Sequence, residues 1–219
     1  MVELDQADVV VVGGGIIGCA AAYYLAKRDA KVILVEKGRI GGEQSSRAWG
    51  FVRIQGRDPD EVPLMVESNR IWQGLEAELE ADIEWVLDGN LAIARDDERA
   101  GRFREWLDVA REFDIPTELL TGSQVEALIP GIRGPFNAGM FTPVDGHAEP
   151  GKATDAFAKA ASEHGADIRT YTTAEGIDIV NGAVGGVHTD RGLIFAPVVI
   201  NAAGAHAARF ARLAGLSLP

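Results

Sequence analysis

The sequence predicts an α/β protein in which a parallel sheet is interrupted by an inserted α+β segment. Three observations lead to this fold class. Val9–Val12 is an unbroken β-branched run followed by closely spaced glycines and an apolar helix, which is typical of a strand buried on both faces of a parallel sheet. Residues 31–36 form a second, mostly apolar strand after that helix. A late strand, Val198–Asn201, runs into a turn of small residues, so we expect the chain to return to the same sheet.

Gly13, Gly15 and Gly18 have the G-x-G-x-x-G spacing directly after the first strand. The first glycine permits the tight turn, the second lets a pyrophosphate approach the backbone, and the third lets the helix pack close to the strand. A helix that begins near Ile16 and Ile17 would direct its unused amides and the positive end of its dipole at the phosphates. The combination predicts a dinucleotide-binding turn. The alternative is a structural glycine turn in an unrelated βαβ unit.

Helical spacing in this first helix predicts a buried stripe of Ala21, Tyr24 and Leu25. Cys19 is interpreted as a small buried hydrophobe. Because it is the single cysteine, the chain has no intrachain disulfide and no multi-cysteine metal site. The histidines have no spacing typical of a metal site, and we therefore expect no metal.

Glu36 ends the second strand about where the ribose-binding carboxylate of a dinucleotide site belongs. It would accept hydrogen bonds from ribose hydroxyls and repel a 2′-phosphate, which disfavours NADP. Residues 37–50 form a loop rich in glycine that includes Ser45 and Ser46. Its amides and hydroxyls suit a second part of the same cofactor, and a plain glycine-rich connection is an equally good interpretation.

Composition restricts the class of protein. A hydrophobic content of 47% over 219 residues is ordinary for a globular core, and no apolar run is long enough for a transmembrane helix. The first residues lack the basic region of a signal peptide, so we expect a cytoplasmic protein. A formal net charge of −12 argues against a nucleic-acid partner, which would require clustered Lys and Arg.

The middle of the chain, residues 58–146, predicts a mixed block of helices and short strands. Its elements are a helix over residues 58–81 with Leu64, Ser68, Ile71, Leu75 and Leu79 on one face, a hairpin of strands 84–87 and 91–94, helices over 96–113 and Gly122–Leu128, and a strand over 139–142. This block lies between two cofactor-like regions, so we interpret it as part of an inserted substrate domain.

After this block the pattern returns to α/β. The predicted elements are a helix over residues 149–161, a third parallel strand over 167–171, an antiparallel meander turning at Asn181 and Gly182, a buried strand Val198–Asn201 and a helix over 207–213. His147, just before this return, is interpreted as a turn residue, because no second catalytic group lies at a motif spacing.

The segments GGGIIG and GGEQSSRAWGFVR, with the acid between them, resemble the FAD-dependent amino-acid oxidase and dehydrogenase family. That family includes D-amino acid, glycine and sarcosine oxidases. The stretch SSRAWGFVR is most similar to the branch of opine and D-hydroxyproline dehydrogenases. The resemblance implies FAD as the cofactor. The residues it assigns to FAD binding are Gly13, Gly15, Ile16, Ile17, Gly18, Glu36, Lys37, Gly42, Ser45, Ser46, Arg47, Ala174, Ala203 and Gly204.

Arg47 and Arg53 are the candidates for anchoring a substrate carboxylate, since Arg binds flat anions with two hydrogen bonds. An equally serious interpretation places either side chain on an FAD phosphate or on a neighbouring acid. The catalytic residues stay unassigned. Hydride transfer from a neutral amine requires no catalytic base.

The resemblance implies a Rossmann-like FAD-binding domain formed by residues 1–57 and 147–219, with a partial substrate domain over 58–146. Members of the family are far longer, and their second half completes the substrate sheet. We therefore expect an N-terminal fragment or truncated product, incomplete at its C-terminus and inactive by itself.

The implied reaction is oxidation of a C–N bond in an amino acid or secondary amine (an opine, D-hydroxyproline, glycine or sarcosine) by hydride transfer to the flavin N5. The implied partners are this small-molecule substrate and either a membrane-associated electron acceptor or partner subunits in a hetero-oligomer. Two alternatives stay open: an NAD-dependent dehydrogenase, and a non-catalytic flavin-binding subunit.

Overall fold

The computed structural model describes residues 5–218, which divide into two compact units. The first unit contains the chain up to Trp49 and again from Pro150, and the second unit is Gly50–Glu149. Relative to the predicted boundaries, residues 50–57 and 147–149 lie in the second unit. Strand pairing explains this placement, because Phe51 lies opposite His147 in an antiparallel pair of two-residue strands.

The described residues contain twelve strands and seven α-helices. The strands are β1 (Val9–Val12), β2 (Val32–Val35), β3 (Phe51–Val52), β4 (Asn90–Ala94), β5 (Glu118–Leu120), β6 (Ala138–Thr142), β7 (Gly146–His147), β8 (Asp167–Arg169), β9 (Ala174–Val180), β10 (Ala183–Thr189), β11 (Gly192–Phe195) and β12 (Val198–Asn201). The helices are α1 (Ile16–Ala26), α2 (Val62–Trp72), α3 (Leu75–Leu79), α4 (Asp97–Glu112), α5 (Gly122–Leu128), α6 (Pro150–Glu163) and α7 (Ala207–Arg212). Short 3₁₀ helices cover Gln44–Ser46, Pro59–Glu61 and Gly204–His206.

The first unit is built on a parallel sheet with the strand order β12-β1-β2-β8. The β-branched run of β1 is buried over its whole length, as its pattern predicts. On one face, Val10, Val12, Ile33 and Val35 pack with residues of the meander and with Phe210 of α7. The α/β prediction and the third parallel strand are therefore confirmed.

Two details of the first unit differ from the sequence-based expectation. The buried side of α1 consists of Cys19, Ala22, Tyr23 and Ala26, whereas Ala21, Tyr24 and Leu25 are only partly buried. The helix is apolar on all sides, so its composition could not indicate which side packs inward; the Tyr23 ring contacts Phe157 of α6 at a centroid distance of 5.9 Å.

The second difference concerns β12, which was expected to be buried. Val198 is 47% exposed and the rest of the strand is partly buried. The position of β12 at the edge of the described sheet explains this exposure, since only one of its sides pairs with a strand.

The meander β9-β10-β11 matches its prediction closely. Asn181 and Gly182 both have positive φ, 52° and 80°, as a two-residue hairpin turn of type I′ requires. The register pairs Val180 with Ala183 on either side of this turn. The Asn-Gly turn signal was sufficient to predict this hairpin, because its two strands are adjacent in sequence.

In the second unit the predicted hairpin of residues 84–94 is wrong. β4 pairs with β6, so Leu91 lies opposite Phe141, while Val86 forms an isolated bridge with His147. The chain does turn at Gly89, which has φ +85° and lies directly against the Phe141 ring. Val86, before the turn, bridges to His147, whereas the residues after the turn join β6, so the two flanks do not pair with each other.

The single helix predicted over residues 58–81 is also wrong. Asp58 caps a 3₁₀ turn by accepting from the Asp60 amide, α2 follows, and Gly74 separates α2 from α3. This break changes the helical phase, so Leu64, expected inside, is 67% exposed, and the buried polar residue of α2 is Asn69. Helices α4 and α5 form as predicted, with Asp96 and Thr121 as their N-caps.

Candidate cofactor site

The first unit contains a cavity of about 880 Å³ at the carboxyl ends of β1, β2 and β12. This is the edge at which open parallel α/β sheets bind ligands. The predicted cofactor residues that line it are Gly13, Gly15, Ile16, Ile17, Glu36, Lys37, Gly42, Ser45, Ala174, Ala203 and Gly204. The fold therefore brings four segments, which follow β1, β2, β8 and β12, to one cavity.

Glycine is required sterically at two positions of the first turn. Gly13 has φ +115°, and a Cβ there would overlap the carbonyl oxygen of Ala202 in the turn after β12. A Cβ on Gly18 would overlap the carbonyl oxygen of Gly13. Gly18 does not line the cavity, and it acts by letting α1 lie against the turn, as its position in the motif predicts.

The backbone amides at the start of α1 fall into two groups, those that have an acceptor in the protein and those that do not. The Ile16 amide donates to Ser45 Oγ at 2.9 Å, and the Gly14 amide donates to Glu36 Oε2 at 2.7 Å. In contrast, the amides of Gly15 and Ile17 find no acceptor anywhere in residues 5–218. Because both residues line the cavity, this helix terminus suits an anion such as a diphosphate.

Glu36 has a structural role besides the predicted one. Its Oε2 accepts from the Gly14 amide, and its Oε1 accepts from the Gly38 amide at 2.8 Å. The carboxylate thereby fixes the turn after β1 relative to the turn after β2. Each oxygen keeps a second acceptor site, so hydrogen bonds from a ribose remain compatible with this geometry.

A chain of charged groups follows Glu36 along the cavity. Lys37 Nζ lies 3.1 Å from Glu43 Oε1 and 3.1 Å from His206 Nε2. The hydrogen bond from Lys37, with smaller contributions from Arg47 and His206, holds the pKa of the Glu43 carboxyl below its usual range. The Lys37 charge is therefore already compensated by a neighbouring carboxylate.

Three predicted residues do not line the cavity. Besides Gly18, these are Ser46, whose hydroxyl faces the Glu43 carbonyl, and Arg47. Arg47 donates to the Glu43 carboxylate at 3.4 Å and to the Gly42 carbonyl at 3.3 Å. Both hydrogen bonds stabilise the conformation of its own loop. A role for Arg47 toward FAD or substrate stays a prediction.

Arg53 lies in the second unit and donates to the carbonyl oxygen of Gln55 at 2.5 Å. This contact holds the arginine against its own segment of backbone. The assignment of Arg53 as a substrate anchor also stays a prediction.

Cys19 is fully buried inside α1. Its burial, together with the charges of Asp155 and Glu36, raises the pKa of the thiol to about 12. A thiol in this environment is inert as a nucleophile. The interpretation of Cys19 as a packing residue is confirmed by its burial.

Several lining residues were missed by sequence reasoning. They are mainly Glu43 and Gln44 in the loop of residues 37–50, Thr172, Thr173 and Glu175 after β8, and Ala202, His206, Arg209, Phe210 and Leu213 after β12. The residues after β8 and β12 follow the carboxyl ends of parallel strands, which was the available signal. Among residues 5–218 no three His, Cys, Asp or Glu side chains are grouped as a metal site would require.

Comparisons with known proteins agree with this geometry. Glycine oxidase of Geobacillus kaustophilus is 34% identical over 96% of this chain, and sarcosine oxidase subunit beta of Arthrobacter sp is 33% identical over 97% of it. The crystal structure of L-proline dehydrogenase from P. horikoshii superposes with a TM-score of 0.92 at 32% identity over 99% of this chain.

This chain spans only part of each of these proteins: 58% of the glycine oxidase, 54% of the sarcosine oxidase subunit and 57% of the proline dehydrogenase chain. The family model described as FAD dependent oxidoreductase matches residues 8–219, which cover the whole second unit and the first unit from Asp8 onward. The family's cofactor is FAD, and the cavity described above has the amides that an FAD diphosphate requires. The chain therefore belongs to the family of FAD-dependent oxidoreductases that includes glycine and sarcosine oxidases.

Proposed function

We propose that this protein binds FAD in the cavity of the first unit and takes part in oxidising a C–N bond of an amino acid or secondary amine. The observation that carries the proposal is the start of α1, where the amides of Gly15 and Ile17 open, without a protein acceptor in the described chain, into a cavity of about 880 Å³. Family membership supports FAD over NAD as the ligand of this cavity.

The residues have separate tasks in this proposal. The amides at the start of α1 bind the diphosphate, Glu36 binds ribose hydroxyls, and the turn at Ala203 and Gly204 lets the cofactor approach the backbone closely. When bound, FAD supplies the redox chemistry by accepting a hydride at N5. The protein must hold the substrate carbon near that atom and keep the amine neutral, since a protonated amine has no lone pair to form the imine.

The proposed substrate class is supported by the relatives, whose names include glycine, sarcosine and proline. These share a secondary or primary amine next to a carboxylate. Opines and D-hydroxyproline share it as well, and the stretch SSRAWGFVR favours them. A relative that is itself a subunit supports a hetero-oligomeric assembly. A membrane-associated electron acceptor and a cytoplasmic location stay predictions.

The test has two stages. In the first, the purified protein is mixed with FAD, and retention after gel filtration is followed by absorption near ~450 nm. In the second, the full-length protein is reduced anaerobically with glycine, sarcosine, L-proline, D-hydroxyproline and an opine, each tested separately. Bleaching by one of these amines supports the proposal. Retained colour that no amine bleaches would instead indicate a non-catalytic flavin-binding subunit.

A further inference from the structure

The charge of this protein opposes the binding of its cofactor. The formal net charge is −12, and the FAD diphosphate is itself an anion. Three carboxylates, those of Glu36, Glu43 and Glu175, line the cavity. Amide dipoles at a helix start contribute only partial charges, so a cationic side chain at the cavity wall would offset part of this repulsion.

The basic side chains among the described lining residues are Lys37, His206 and Arg209. Lys37 is engaged with Glu43 and with His206, at 3.1 Å in each case. Arg209, in contrast, forms no ion pair or hydrogen bond through its side chain with any residue of the described chain. Among these basic lining residues, Arg209 is therefore the one whose positive charge is not compensated by a carboxylate of the described chain.

Arg209 lines the same cavity as the glycine turn. Its helix, α7, follows directly after the turn that contacts Gly13. Asn201 at the end of β12 fixes both parts, because its Nδ2 donates to the Ala207 carbonyl at 2.9 Å and its Oδ1 accepts from the Ala203 amide at 3.3 Å. The next residue, Phe210, is 5% exposed and packs in the core below the sheet edge.

We propose that Arg209 is a cofactor-binding residue whose guanidinium pairs with the diphosphate of the bound dinucleotide, as the charged partner of the amides at the start of α1. A guanidinium suits this task because it can donate two parallel hydrogen bonds to phosphate oxygens. The inference rests on the proposed FAD site. In this inference α7, which lies outside the glycine motif, contributes directly to the affinity for FAD.

The chain offers a matched control in the same helix. Arg212 is also exposed and also lies in the last turn of α7, but it does not line the cavity. Arg209→Met and Arg212→Met therefore remove the same charge from the same helix at two positions that differ in access to the cofactor. Circular dichroism and a thermal melt of both variants check that the helix is retained.

The measurement is the dissociation constant of FAD, obtained by fluorescence titration at several NaCl concentrations. We expect Arg209→Met to weaken FAD binding about tenfold, and Arg212→Met to change it by less than about twofold. The affinity of Arg209→Met should also depend less on salt than that of the unmodified protein, because one screened interaction is gone. Arg209→Lys should recover part of the loss.

Equal dissociation constants for the two variants, or an unchanged salt dependence in Arg209→Met, would overturn the assignment of Arg209 while leaving the FAD site in place. Failure of the unmodified protein to bind FAD would be a different result. It would overturn the proposed function and this inference together.

Discussion

The two units are specified by the sequence in different ways. In the first unit, backbone geometry decides the structure: small residues let three turns approach one another, and most interactions at the cavity involve amides and carbonyls. The second unit depends on a buried polar network around Gln55 and Asp145, which are 2% and 0% exposed. Adding a methyl group at the glycine turn should therefore damage the first unit, whereas removing polar groups at this network should damage the second.

The largest effect is expected from Gly18→Ala in the first unit. The new methyl group would overlap the Gly13 carbonyl oxygen, which belongs to backbone that cannot move without displacing the glycine turn. We expect a loss of about 3 kcal/mol in the free energy of unfolding and no measurable FAD binding. Urea unfolding and FAD titration measure the two effects.

Gly101→Ala in α4 of the second unit is the control, since a Cβ there meets nothing within 4 Å. It should raise stability by about 0.5–1 kcal/mol, because alanine is the better helix former. Equal effects of the two substitutions would contradict the steric role of Gly18.

A smaller effect is expected from Gln55→Met in the second unit, which keeps the side-chain length and removes only its polar groups. Gln55 Nε2 donates to the carbonyls of Asn90 and Met140 and to Thr142 Oγ1, each at 3.0 Å. These buried acceptors would lose a partner, so we expect a loss of about 2 kcal/mol in the free energy of unfolding.

Gln73→Met removes a single hydrogen bond, to Asn69 at 2.9 Å, from an exposed side chain. Its expected cost is about 1 kcal/mol in the same urea experiment, because only one acceptor, Oδ1 of the buried Asn69, loses a donor. A cost for Gln55→Met no larger than that of Gln73→Met would mean that the network does not stabilise the second unit.

The smallest effect concerns pH. Burial raises the pKa of the Asp145 carboxyl, although the amides of Ile54 and Gln55 donate to it and oppose the shift. The folded protein then takes up this proton at a higher pH than the unfolded chain does. The contribution of Asp145 to the free energy of unfolding should therefore increase as the pH falls from its raised folded-state pKa to the ordinary carboxyl pKa. This contribution should be lost again as the pH rises through the folded-state pKa.

The measurement compares urea unfolding of the unmodified protein and of Asp145→Asn at a series of pH values. The difference in unfolding free energy should shift in favour of the unmodified protein as the pH falls, because asparagine does not titrate. A difference that stays constant with pH would contradict the proposed titration of Asp145.

The sequence by itself determined the elements whose partners are local. The β-branched run of β1, its glycines and α1 are adjacent in the chain, and so are both strands of the hairpin at Asn181 and Gly182. Their steric requirements, including positive φ and the absence of a Cβ, can be inferred from residue type alone.

Only the tertiary structure decided which distant segments meet. β4 pairs with β6 and not with its neighbour in sequence, α1 is apolar on every side so that packing chose its buried face, and Arg209 lines the cavity because Asn201 fixes α7 at the end of β12. Each outcome depends on contacts between residues far apart in the chain. Residue type and spacing do not encode such contacts, since they form only when the whole core packs.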